Sequence, residues 1–220
     1  MAPRPPRSRA RRRARSSPAP EPALTRELRE IIAALAAGDA DFALVGGLAV
    51  SARAEPRLTR DVDIAVAVHD DREAEAVVRG LTARGYKLDS TIEQTRTKRL
   101  ATARLTRSNE ALLVDLLFAS CGVEPEIVRD ATHIELLPRL VVPVASTAHL
   151  VAMKLLASDD RRRPQDEDDL RALVPLLDAT GRKRVTAALA LIERRGYARG
   201  RDLRAMWRAR LKTANQRRPR

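Results

Sequence analysis

Residues 44–66, LVGGLAVSARAEPRLTRDVDIAV, decide how the chain is to be read. Their first residues complete the short apolar run Phe42-Ala-Leu-Val45, which Gly46-Gly47 closes. Such a run ended by paired glycines predicts a buried strand entering a tight turn. Leu48 to Ala54 then fits a short helix. From Asp61 the period falls to two: Val62, Ile64, Val66 and Val68 alternate with Asp63, Ala65 and Ala67, predicting a second strand. Residues two apart on a strand project from one face, so Asp61 and Asp63 stand together. Two carboxylates so placed repel unless a cation, a proton or solvent relieves them. A solvated strand start beside Arg57 and Arg60 is the plainer alternative.

Working outward, Leu24 to Ala37 has helical periodicity, with Thr25 placed to cap it and Gly38 to end it. Asp70 opens a helix that reaches about Arg84, where Gly85 stops it. Tyr86 to Arg107 alternates Thr, Ile and Leu with charged residues, as half-exposed strands do. Ala111 to Phe118 (ALLVDLLF) is an apolar strand carrying one acid, and His133–Leu137 and Leu140–Val144 are short strands. From Ser146 the pattern turns helical: Ser146–Ala157, Pro164–Asp178, Arg182–Arg195 and about Arg201–Lys212. No internal repeat is present.

Composition narrows the classes. The 220 residues are 44% hydrophobic and contain a single cysteine, Cys121. That length buries a real core, and the composition excludes collagen-like, wholly disordered and coiled-coil chains. No apolar run approaches the roughly 20 residues of a membrane span. One cysteine excludes an intramolecular disulfide framework and a cysteine-rich zinc site, which suits a reducing cytoplasm. The net charge of +13 points at first to a nucleic-acid binder. Residues 1–20 carry seven Arg and no acid, and residues 208–220 carry five Arg and one Lys, so the rest of the chain balances. Five Lys against 37 Arg is a bias of the whole chain, which weakens the Arg-rich ends as functional signals. Residues 1–22 lack the apolar region of a secretory signal and are expected to form a disordered basic tail, and 213–220 are expected to be a second basic tail.

The chemistry-bearing candidates are few. Asp115 sits between Val114 and Leu116, where an unpaired carboxylate is costly to bury. A salt bridge to an arginine and a metal site explain it equally well. If its strand neighbours that of Asp61, three carboxylates converge, and oxygen-only clusters suit Mg²⁺ with phosphate oxygens as further ligands. Gly46-Gly47 could turn backbone N–H groups toward a phosphate, or be only a turn. Lys154, amid apolar residues in HLVAMKLLA, either snorkels from a helix or meets a phosphate as a point charge. Asp166 and Asp169 in RPQDEDDL share a helix face, so one of them can point back to the acids. His69, His133 and His149 are scattered and read as structural.

Together these residues form a familiar order. LVGGLAVSARAEPRLTRDVDIAV, with thirteen residues between Gly47 and Asp61, resembles the opening motif of DNA polymerase β-like nucleotidyltransferases. Val114-Asp115-Leu116 resembles their third carboxylate strand. Lys154 in VAMKLLA and the tract RPQDEDDLRAL resemble the AbiEii/AbiGii-type members, which include toxins of toxin–antitoxin and abortive-infection systems. The resemblance covers residues 41–175 and implies an α+β fold: a mixed β-sheet flanked by helices over residues 23–145, followed by a C-terminal helical domain over 146–212. It implies Mg²⁺-dependent transfer of a nucleoside monophosphate from an NTP. Asp61 and Asp63 would hold Mg²⁺, Asp115 would be the third acid, ligating metal or activating the acceptor hydroxyl, and Asp166 would be an additional active-site acid. Gly46, Gly47, Ser51 and Lys154 would bind the nucleotide. One departure stands out: Leu48 follows the glycines where the superfamily often has Ser, and Ser51 comes three residues later. The implied partners are an acceptor such as RNA or tRNA and an antitoxin protein, in the cytoplasm and with no membrane. A small-molecule, antibiotic-type acceptor and an idle fold serving as a binding module are the competing readings.

Overall fold

The structure is a computed structural model describing residues 22–56, 59, 61–107, 113–158 and 164–216. The expected basic tail at the N-terminus lies outside the described residues, as do Arg57 and Arg60. A seven-stranded mixed sheet forms the centre. Its strands are β1 (Phe42–Val45), β2 (Asp61–Val66), β3 (Lys87–Glu93), β4 (Leu100–Thr106), β5 (Leu113–Leu117), β6 (Thr132–Leu137) and β7 (Leu140–Val144). They lie in the order β3-β4-β5-β2-β1-β7-β6. The β2–β5 and β1–β7 pairs are parallel and the other pairs antiparallel.

Among the described residues eight α-helices surround the sheet: α1 (Ala23–Ala36), α2 (Gly46–Arg53), α3 (Asp71–Thr82), α4 (Glu124–Arg129), α5 (Thr147–Ala157), α6 (Pro164–Leu173), α7 (Ala179–Arg194) and α8 (Leu203–Gln216). Local chemistry explains their starts. The Asp70 side chain accepts from the Glu73 N–H while Glu73 accepts from the His69 N–H, closing a reciprocal cap on α3. Ser146 caps α5 through the His149 N–H, and Asp178 caps α7 through the Gly181 N–H.

Several helix boundaries differ from the sequence reading: α2 starts at Gly46 rather than Leu48, and α7 at Ala179 rather than Arg182. Thr25 does not cap α1; that helix begins at Ala23 behind Pro22, whose carbonyl accepts from the Arg26 N–H. The predicted Pro164–Asp178 helix ends at Leu173 and passes into a 3₁₀ turn over Val174–Leu176. Pro175 has no N–H to continue an α-helix, and Asp178, expected inside this helix, caps the next one. At the C-terminus α8 runs on to Gln216, four residues past its expected end.

Alternation in β4 and β5 buries Ala103, Leu105, Val114 and Leu116 on one face and turns Arg104 and Asp115 to the other. Buried side chains of the sheet and of α5 to α8 form one continuous cluster, with Trp207 and Leu203 of α8 fully enclosed. Among the described residues no helix is long and apolar enough to cross a membrane.

Candidate active site

Sheet register builds the site. In the parallel β2–β5 pair Asp63 stands beside Asp115, Arg104 of β4 pairs with Asp115 from the other side, and Ser90 of β3 pairs with Arg104. Val45, the last residue of β1, pairs with Asp63. One row across the sheet therefore runs Val45, Asp63, Asp115, Arg104, Ser90. Neighbours in such a row are about 4.8 Å apart and share a face. Asp61 precedes Asp63 by two residues on that same face.

The turn after β1 is shaped around Asp63. Gly46 has φ +63°, a left-handed conformation that side chains resist. A Cβ on Gly46 would come within 1.9 Å of the Asp63 Oδ2 atom. The Gly47 N–H donates to the Asp63 carboxylate. Even so, the Asp63 pKa is pushed up to about 6. Burial is the largest cause and Asp115 the next; Asp61 adds to it, while Lys154 and the Gly47 N–H oppose it. Asp63 is thus a carboxylate whose surroundings call for a cation.

Lys154 does not snorkel. Its ammonium is largely buried and lies 2.8 Å from Asp166 Oδ1 and 2.7 Å from Asp169 Oδ2, both on α6. Two of its three N–H donors are directed to these acids. Asp166 and Asp169 share a face as expected, and both point back rather than one. Asp115 is paired as well: Arg104 Nε donates to Oδ1 at 2.8 Å and Nη2 to Oδ2 at 2.7 Å. Each carboxylate oxygen has a second lone pair, so this bidentate contact leaves Asp115 with acceptor capacity. The Ser51 hydroxyl donates to the Gly47 carbonyl, 3.0 Å away in the same helix.

A cleft of about 310 Å³ opens over this row. Asp63, Asp115 and Arg104 form its polar floor, Met153 and Leu156 of α5 form a wall, and Arg199 enters from the loop after α7. At its end, Glu124 is buried and its Oε1 accepts from the Ser120 and Cys121 N–H groups at 2.6 and 2.7 Å. His149, the one histidine that is buried, bonds the Ser146 hydroxyl at 3.1 Å from within α5.

Among the described residues no three His, Cys, Asp or Glu side chains close on a point as a self-sufficient metal cage. Mg²⁺ does not ask for one: it is usually held by one or two carboxylates, with waters and substrate phosphates completing its shell. Asp61 and Asp63 fit that demand, because Asp63 is desolvated and crowded by acids. Five carboxylates (Asp61, Asp63, Asp115, Asp166 and Asp169) meet two cations, Lys154 and Arg104, across the site.

Residues 28–218 match the family described as the nucleotidyl transferase AbiEii toxin of type IV toxin–antitoxin systems. The chain belongs to this family. It is therefore a nucleotidyltransferase, and the AbiEii resemblance drawn from its motifs holds over most of its length. No curated protein matches the AbiEii chain. Among solved structures it is similar to ANT(2")-Ia in complex with adenylyl-2"-tobramycin, at 14% identity and a TM-score of 0.53, over 79% of this chain and 99% of that one. It is also similar to the solution structure of the antibiotic-resistance factor ANT(2'')-Ia, at 17% identity and a TM-score of 0.50, over 78% of this chain and 92% of that one. At such identities the likeness is one of fold: the mixed sheet flanked by helices is a nucleotidyltransferase fold.

Three site residues escaped the sequence reading. Arg104 alternates with threonines and alanines in an unremarkable strand, and only the β4–β5 register brings it to Asp115. Arg199 is one arginine among 37. Glu124 opens a helix, α4, that was not anticipated.

Proposed function

We propose that this AbiEii chain is a Mg²⁺-dependent cytoplasmic enzyme that moves a nucleoside monophosphate from an NTP to an RNA acceptor such as tRNA, as the toxin of a toxin–antitoxin pair. The observation that carries the reading is the Asp63–Asp115 row beside the Gly46-Gly47 turn, on the floor of a cleft. Asp61 and Asp63 would hold the metal. When bound, it supplies charge neutralisation to the phosphates and to the leaving pyrophosphate.

The remaining steps belong to the chain's own groups. The glycine turn packs directly on Asp63, since a Cβ on Gly46 would strike its carboxylate, and this would bring the triphosphate at the turn's backbone beside the metal-holding acid. Lys154, fixed by Asp166 and Asp169, brings positive charge to that side of the site, and Asp166 and Asp169 hold its ammonium in place. Ser51 supports the turn through Gly47. In the transfer the acceptor oxygen bonds to the α-phosphorus as the bond from that phosphorus to the pyrophosphate oxygen breaks. The hydroxyl proton passes to Asp115, which accepts it on a lone pair that Arg104 does not occupy. The acceleration comes from positioning and from charge rather than from a covalent enzyme intermediate.

The feature that favours an RNA acceptor is Arg199, a cleft-lining guanidinium without an ion pair among the described residues, which can meet a phosphate of the acceptor. The test is incubation with each α-³²P-labelled NTP, Mg²⁺ and total bacterial RNA, alongside Asp63→Asn. Label entering RNA with the unsubstituted protein alone is the expected result. Absence of label with every NTP would refute the RNA acceptor.

A further inference from the structure

Arg199 has φ +54°, a left-handed conformation that a non-glycine residue holds only under strain. Its neighbours on this loop that adopt positive φ, Gly196 and Gly200, are glycines. The loop is also fastened on both sides of it. Arg195 donates to the Gly122 carbonyl at 2.5 Å and pairs bidentately with Glu126. Tyr197 is buried with its ring against Gly122, where a Cβ would lie 2.3 Å from the ring. Beyond Arg199, Arg201 bonds the carbonyls of Leu155, Leu156 and Ser158 at the end of α5. Strain held in place by such fastening is found at ligand clamps.

The fastened loop presents a charge with no partner in the protein. Arg199 is exposed, lines the cleft, and makes no hydrogen bond or ion pair among the described residues. The loop lies against the β3–β4 turn, with the Tyr197 hydroxyl 3.4 Å from Thr97 Oγ1 and Gly196 against the Arg96 side chain. That is the Arg104 side of the carboxylate row, opposite the glycine turn. Arg104 gives one edge of its guanidinium to Asp115 and keeps further N–H donors. The pairing also fixes the direction of that free edge.

From this arrangement we infer that Arg199 and Arg104 form an anion subsite for a phosphodiester of the acceptor, the one adjoining the hydroxyl that is nucleotidylated. The inference rests on the nucleic-acid acceptor proposed above and adds the residues that grip it. Two guanidiniums suit a phosphate because each offers paired donors in a planar fork. The position across the row from Gly46 separates this subsite from that of the triphosphate, so the acceptor hydroxyl is delivered beside Asp115.

The test uses the full chain and a fluorescein-labelled RNA trinucleotide. Its 3′-terminal linkage is either a native phosphodiester or a neutral methylphosphonate. Binding is followed by anisotropy with Mg²⁺ and an α,β-methylene NTP that cannot be transferred. The unsubstituted protein should prefer the phosphodiester about tenfold, as one charge-assisted contact predicts. Arg199→Asn and Arg199→Gly should lose that preference while binding the NTP analogue unchanged. Both replacements tolerate positive φ, so their melting temperatures should equal or exceed that of the parent. Equal binding of the two probes by the parent would overturn the subsite, as would preference retained in the variants. A matching loss of NTP binding would assign Arg199 to the triphosphate instead, and a large fall in melting temperature of both variants would make it structural. If the probes are discriminated but no NTP labels RNA, the proposed reaction fails while the subsite stands. If RNA is labelled and the variants bind like the parent, the reverse holds.

Discussion

Asp63→Asn offers a direct reading of the electrostatics at the centre of the site. In the metal-free folded chain the Asp63 carboxyl has a pKa of about 6 against an ordinary value of 3.8. A carboxyl that holds its proton more tightly when folded favours folding where it is protonated. Its contribution is therefore greatest below about pH 3.8 and is lost as the pH rises through about 6. The gap corresponds to about 3 kcal/mol by which ionised Asp63 destabilises the metal-free protein at pH 8. Asparagine removes the charge and keeps an oxygen to accept from the Gly47 N–H. In EDTA at pH 8 the variant should melt about 6–12 °C above the parent, as a chain of this length converts free energy to temperature. The advantage should shrink as the pH is lowered toward 4. Mg²⁺ should raise the melting temperature of the parent more than that of the variant, while the variant loses nucleotidyl transfer. Equal melting temperatures at pH 8, or a less stable variant, would refute the account of Asp63 as a crowded, desolvated carboxylate.

Gly46→Ala should abolish transfer and destabilise the fold by about 2 kcal/mol or more, read by denaturant titration, because its Cβ meets Asp63 at a backbone angle that alanine resists. Lys154→Met should cost about 3–5 kcal/mol by the same measurement, since Asp166 and Asp169 would lose the ammonium between them. A cost below 1 kcal/mol would return Lys154 to a peripheral role. Cys121 is buried and its thiol is pushed up, first by burial and then by the Glu124 charge. It should not react with a thiol reagent at pH 8 until denaturant is added, and rapid labelling of the native protein would contradict that burial. Glu124→Ala should destabilise the protein by about 2–3 kcal/mol by leaving the Ser120 and Cys121 N–H groups without their acceptor.

The strands that carry the acids were legible because their chemistry is local. Period two in DVDIAV and the isolated acid of ALLVDLLF fix which side chains share a face before any partner strand is known. The glycine pair was legible as a turn, but that its missing Cβ makes room for Asp63 depends on the β1–β2 register. Both alternatives held open for Asp115 also needed register, and the arginine salt bridge among them is present. Lys154 was visible as an anomaly of composition, whereas its double pairing required α6 to fold back on α5. Arg104 and Arg199 had no local signal, being arginines in a chain that uses arginine everywhere. The split of the predicted 164–178 helix was available from Pro175, whose ring and missing N–H bar an α-helical continuation.

The β2–β5 register also constrains how the gene can change length. Because Val114 and Leu116 fill the core while Asp115 faces the cleft, β5 counts in twos. A single-codon insertion within β5 ahead of Asp115 would send the carboxylate into the apolar layer and bring a leucine or valine to the reaction face. Two inserted codons would restore the parity and cost only alignment along the strand. Length changes in this part of the gene should therefore be graded by odd or even number before size, and an odd one should be lost from any population that depends on the enzyme.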